Sequence, residues 1–192
     1  MARTEAGTTL LVIDVQEAVL AGCVDVPGVL ARINTLIGRA REAGAPIVFI
    51  QHEDPEDPEM TAGSPGWRLA AALDRADGDR VVAKRYRDAF AATDLAATLE
   101  RSATRRVVIT GAQSDFCVQT TALSALLHGY DLTLVSDAHT TLPARLPGGE
   151  LSAAAVIELV NARFGTLRHP GRTVAVLPAA GVAPWSSVRD DP

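Results

Sequence analysis

The chain has 192 residues, 47% of them hydrophobic and 21% charged, and no repeat or composition shift divides it, so residues 1–192 read as one domain with a single full-sized core and polar ends over about 1–7 and 183–192. A formal net charge of −5, with arginines scattered singly or in pairs, excludes a phosphate-neutralising surface and with it a nucleic-acid partner. The first residues lack a charged segment followed by an apolar stretch, and no apolar run reaches spanning length, so no membrane partner and a cytoplasmic location are expected.

Residues 8–13 read as a buried strand. Pro27 opens a helix whose apolar positions Leu30, Ile33, Ile37 and Ala40 recur at helical spacing until Gly44 ends it. A second strand covers 47–50, and a loop rich in acids, Pro and Gly runs over 53–66. A short helix is predicted over 67–73, a third strand over 80–83 and a helix over 94–101. The fourth strand, 106–110, breaks at Gly111, and a helix opens at Cys117 and stops at His128-Gly129, with glycine as its cap. Strands over 132–136 and 173–177 flank a helix over 151–164. Six apolar, not strictly alternating strands separated by helices predict a doubly wound, Rossmann-like α/β fold: a six-stranded parallel sheet with helices on both faces.

In such a sheet ligands bind beyond the carboxyl ends of the strands. Asp14 follows the first strand, Lys84 the third, and Cys117 follows the fourth after a short turn, so all three fall on one edge. An acid, an amine and a thiol together make a covalent-catalysis site. The helix N-terminus and the lysine are expected to lower the pKa of the Cys117 thiol, and Asp14 to carry a proton between thiol and leaving amine. The only other cysteine, Cys23, has no such neighbours and reads as a structural filler; two cysteines in unrelated contexts point to free thiols, not a disulfide framework.

The stretches Leu10-Leu-Val-Ile-Asp14-Val-Gln16, Lys84-Arg-Tyr-Arg-Asp-Ala-Phe90, Thr110-Gly-Ala-Gln-Ser-Asp-Phe-Cys117-Val and Gly129-Tyr-Asp-Leu-Thr-Leu-Val-Ser-Asp-Ala138 resemble the isochorismatase-like cysteine hydrolases, which include nicotinamidases and related amidases. The resemblance covers nearly the whole chain. It implies an Asp14-Lys84-Cys117 triad, a non-proline cis peptide between Ala112 and Gln113, and an oxyanion hole formed by the backbone N–H groups of Gln113 and Cys117. It also implies a homo-oligomer. Metal-holding relatives use an Asp-x-His and a second His where this chain has Gln51-His-Glu-Asp-Pro-Glu-Asp-Pro-Glu59, so no metal and no other cofactor is expected. A cysteine nucleophile favours a C–N amide bond of a small carboxamide or cyclic amide over the vinyl ether that true isochorismatases cleave. Beside these stands a non-catalytic binding or thiol-redox protein on the same fold, which the Asp14-Lys84 pair speaks against.

Further residues have two readings each. Trp67 and Phe116 either line an apolar substrate pocket or pack a core. Gln16 either contacts triad or substrate or is turn polarity, and His139 is either a supporting group near the site or a hydrogen-bonded structural histidine. The acidic run 53–59 either attracts a cationic substrate or is a solvated loop. No Gly-x-Gly-x-x-Gly, Gly-x-Ser-x-Gly or phosphate loop is present, so no dinucleotide or serine chemistry competes with the thiol.

Overall fold

A computed structural model of the chain describes residues 7–182. In chain order the elements are β1 (Gly7–Ile13), α1 (Glu17–Leu20), α2 (Val26–Glu42), β2 (Ile47–His52), β3 (Arg80–Lys84), α3 (Leu95–Arg101), β4 (Thr104–Ala112), a π-helical turn (Ser114–Val118), α4 (Gln119–Leu127), β5 (Asp131–Thr140), β6 (Ala144–Leu146), β7 (Gly149–Leu151), α5 (Ala153–Thr166) and β8 (Val174–Leu177). Six of the strands form one parallel sheet in the order β3-β2-β1-β4-β5-β8, and β6 and β7 pair as a separate antiparallel hairpin. The hairpin is short and largely exposed, and the sequence does not announce it, because three-residue strands carry no readable period.

The alternation of each strand divides the core. Leu11 and Ile13 pack with Ile50, Ile109 and the inner faces of α3, α4 and α5; Leu10 and Val12 pack with Phe49 and the stripe Val29, Ile33, Leu36, Ile37 and Ala40 of α2. Both faces are therefore covered, which is why the strands read as continuous apolar runs. Each fully buried Leu or Ile contributes roughly 1.5–3 kcal/mol relative to exposure.

Strand order reverses between β1 and β4. There the backbones come unusually close. A Cβ on Gly111 would lie 2.0 Å from the Ile13 carbonyl oxygen, and Gly111 has φ +113°, so only glycine fits opposite the end of β1.

The predicted helix over 67–73 does not form. Its backbone is drawn into extended pairing with the segment after β1: Leu69 bridges Gln16, Ala70 N–H donates to the Val15 carbonyl, and the Arg68 carbonyl accepts from Glu17 N–H. Tertiary partners override local helical bonds there. The remaining strands and helices lie where their apolar periods put them, with boundaries moved by one or a few residues; α5 starts at Ala153 because Ser152 caps it, its side chain accepting from Ala155 N–H. No helix among the described residues is long and apolar enough to cross a membrane.

Candidate active site

Asp14 leaves β1 in the left-handed region, with φ 47°, a conformation that Asp tolerates better than most residues. This turns its carboxylate back over the strand ends, where it is 1% exposed. Lys84 closes β3 and is fully buried; its Nζ lies 2.6 Å from Asp14 Oδ2 and 3.3 Å from Cys117 Sγ. The contact with Asp14 is an ion pair without the direction of a good hydrogen bond, and both carboxylate oxygens are buried with no other partner among the described residues. Cys117 sits in the π-helical turn between β4 and α4, whose Gln113 carbonyl accepts from both Phe116 and Val118 N–H. The peptide bond joining Ala112 to Gln113 is cis.

The ionisation of the thiol is the reverse of the sequence-based expectation. Burial pushes the Cys117 thiol up to about 12, the Asp14 carboxylate beside it adds to that, and the Lys84 ammonium opposes it without prevailing. Burial likewise raises the Asp14 carboxyl against the lowering pull of Lys84. At rest the thiol keeps its proton, and the high proton affinity of Asp14 makes it a competent acceptor of that same proton.

Asp14 and Cys117 open on a cavity of about 280 Å³, with Lys84 buried behind them. Phe116 and Met60 supply apolar wall, and Arg87 stacks its guanidinium 4.3 Å from the Phe116 ring centroid. Asp57 and Glu59, both exposed members of the acidic run, line the same cavity. Sequence reasoning does not single out Arg87, although it lies within the Lys84–Phe90 stretch, or Met60, which lies in no motif.

Three other candidates stand elsewhere. Gln16 is fully buried and acts as a brace: its Nε2 donates to the carbonyls of His52 and Trp67, and its Oε1 accepts from His52 N–H. Trp67 lines a separate groove with Leu69, Arg75 and Val81. His139 is 1% exposed; it accepts from Ser114 Oγ at 2.7 Å and contacts Asn161 Oδ1 at 3.0 Å, so it tethers the turn that carries Cys117 and does not line the cavity. His52 stands in register with Lys84 across β2 and β3, its Nδ1 3.2 Å from Lys84 Nζ. Among the described residues no three His, Cys, Asp or Glu side chains are grouped to hold a metal, so the donor set around His52 does not fit a metal site.

The isochorismatase domain profile matches residues 8–167. The chain belongs to the isochorismatase family of hydrolases. It is 33% identical over 183 residues to a streptothricin hydrolase of Streptomyces noursei, covering 93% of this chain and 71% of that protein. It is 27% identical over 129 residues to a maleamate amidohydrolase of Pseudomonas putida, covering 58% of this chain and 61% of that protein. A crystal structure of an isochorismatase hydrolase from Oleispira antarctica superposes with a TM-score of 0.85 at 26% identity, over 94% of this chain and 97% of that one. The doubly wound, single-domain α/β architecture is shared with it.

Proposed function

We propose that this family member is a metal-independent cysteine hydrolase that cleaves the C–N bond of a small carboxamide or cyclic amide. The observation that carries the reading is Lys84 Nζ, placed at once 2.6 Å from Asp14 and 3.3 Å from Cys117 at the foot of a cavity. Two relatives whose names denote hydrolysis, one of them of an amide, support it.

In the proposed cycle the thiol proton passes to Asp14 as Sγ attacks the amide carbonyl carbon. Asp14 becomes neutral, so the Lys84 ammonium is left to stabilise sulfur. The carbonyl π electrons move to oxygen, and the N–H groups of Gln113 and Cys117 receive the oxyanion. Asp14 returns the proton to nitrogen, the C–N bond breaks, and an amine or ammonia leaves. Water then attacks the Cys117 thioester with Asp14 as base, releasing the carboxylic acid and restoring the thiol. A thiol forms an acyl intermediate readily, which favours an amide over an ether substrate.

The test is a mixed library of small amides and lactams followed by mass spectrometry of the intact protein. An acyl adduct on Cys117, with amine release abolished in Cys117→Ala, is the expected result. Turnover retained in Cys117→Ala would overturn the reading.

A further inference from the structure

His52 touches the catalytic cluster, yet the amide cycle gives it nothing to do. The Lys84 ammonium has three protons and no lone pair. Asp14 Oδ2 faces it as an ion-pair partner at 2.6 Å without a hydrogen bond, and three acceptors match the three protons: the Tyr86 carbonyl at 3.1 Å, His52 Nδ1 at 3.2 Å and Cys117 Sγ at 3.3 Å. A ring nitrogen facing an ammonium at that distance must accept, so Nδ1 carries no proton. The proton of the neutral imidazole therefore sits on Nε2, at the opposite edge of the ring.

Burial and the neighbouring Lys84 both hold the imidazole below the ordinary histidine range, against the smaller opposing pull of Asp14, Asp54 and Glu53. The neutral tautomer is thus the resting one. The ring lines the cavity, and its Nε2 makes no hydrogen bond to a described residue. Because Lys84 Nζ contacts both His52 and Cys117, the imidazole and the sulfur border the same few ångströms of cavity.

Building on the amide reading, we infer that His52 is a substrate-binding residue whose Nε2–H donates to an acceptor oxygen or nitrogen of the bound amide, its tautomer set by Lys84. The class of substrate narrows accordingly to amides with a hydrogen-bond acceptor close to the carbon that Cys117 attacks. A glutamine can imitate this residue, since its oxygen can accept from Lys84 while its NH₂ group donates into the cavity; alanine can do neither.

Iodoacetamide tests this directly, being a small carboxamide that alkylates sulfur, with iodomethane as an alkylator that has no acceptor. Rate constants at Cys117 for both reagents are measured at pH 9 by mass spectrometry in the wild type, His52→Ala and His52→Gln. The ratio of the iodoacetamide to the iodomethane rate removes any change in the nucleophilicity of sulfur. It should fall at least fivefold in His52→Ala and stay within twofold of the wild type in His52→Gln. Two-bond ¹H–¹⁵N spectra of the wild type should show His52 as the Nε2–H tautomer. An unchanged ratio in His52→Ala, an equal fall in both variants, or a His52 protonated on Nδ1 would overturn the inference. Amide turnover retained in Cys117→Ala would instead sink the nucleophile assignment and leave the ratio untouched.

Discussion

Ser114 Oγ lies 2.7 Å from His139 Nδ1, and both residues are buried. The direction of this bond follows from its neighbours. Asn161 Nδ2 donates to the Ser136 carbonyl, which turns Asn161 Oδ1 toward His139 and assigns a proton to Nε2. Nδ1 is then the acceptor and Ser114 the donor. Three elements, β5, α5 and the π-helical turn, are joined through the His139 imidazole, which holds the turn at Ser114, three residues ahead of Cys117.

His139→Ala should therefore loosen the turn and leave Ser114 and Asn161 unpaired, at a cost of at least about 2 kcal/mol. Burial holds the His139 pKa below its ordinary value. A histidine depressed in the folded state contributes stability that is present above the unfolded value and is lost as pH falls through the folded one. Urea unfolding midpoints of the wild type should accordingly fall as pH drops below the ordinary histidine range, and His139→Gln should flatten that part of the profile. Parallel profiles would mean that the imidazole does not titrate with folding.

Gly111→Ala should be among the most damaging small substitutions in the chain. The new methyl would overlap the Ile13 carbonyl at a φ unfavourable to any side chain, at the place where β1 and β4 hold Asp14 and Cys117 in relation. A loss of about 4 kcal/mol, or no soluble protein, is expected. Gly78→Ala, with nothing within 4 Å of the added carbon, should stay within about 0.5 kcal/mol of the wild type. Thermal unfolding of the two variants side by side decides it.

Burial puts the Cys117 thiol at about 12 and the Cys23 thiol at about 11, so neither is a thiolate at neutral pH. Alkylation of both should rise with pH well beyond 9. Asp14→Asn separates them: removing the carboxylate deletes a charge that raises the Cys117 pKa and leaves Lys84 unopposed, so Cys117 should label at least tenfold faster at pH 8 while Cys23 is unchanged. The same variant should lose amide turnover for want of a proton carrier. Slower labelling of Cys117 in Asp14→Asn would show that Asp14 activates the resting thiol.

Much of this site is legible in the sequence because its three ionisable members sit at strand ends. Once the apolar runs are recognised as parallel strands, Asp14, Lys84 and Cys117 must emerge on one edge, whatever the loops do. The pKa of Cys117 is not legible in the same way: a neighbouring cation is visible in a sequence, whereas the desolvation that outweighs it is not. Nor is the contact of His52 with Lys84, which depends on the register of β2 against β3. In the sequence Gln16 is drawn to the site by its place two residues past Asp14, and Trp67 by its aromatic side chain, which suits an apolar pocket. Residues 68–70 instead pair with the backbone beside Gln16, and Trp67, in the turn before them, lines a different groove.

The buried ion pair should show its character in a double-mutant cycle. Lys84→Met removes the cation paired with a fully buried carboxylate and should cost about 3–5 kcal/mol, since an uncompensated charge remains. Asp14 would respond by holding a proton more tightly. A carboxyl raised in the folded state favours folding below its unfolded value and loses that contribution as pH rises, so the penalty of Lys84→Met should be small near pH 4 and grow toward neutrality. Asn tolerates the left-handed backbone at position 14 and carries no charge. Adding Asp14→Asn should therefore recover much of the stability lost in Lys84→Met and remove its pH dependence. Simple addition of the two single losses in urea unfolding would show that the pair is not energetically coupled, and that the cluster is held by the surrounding core alone.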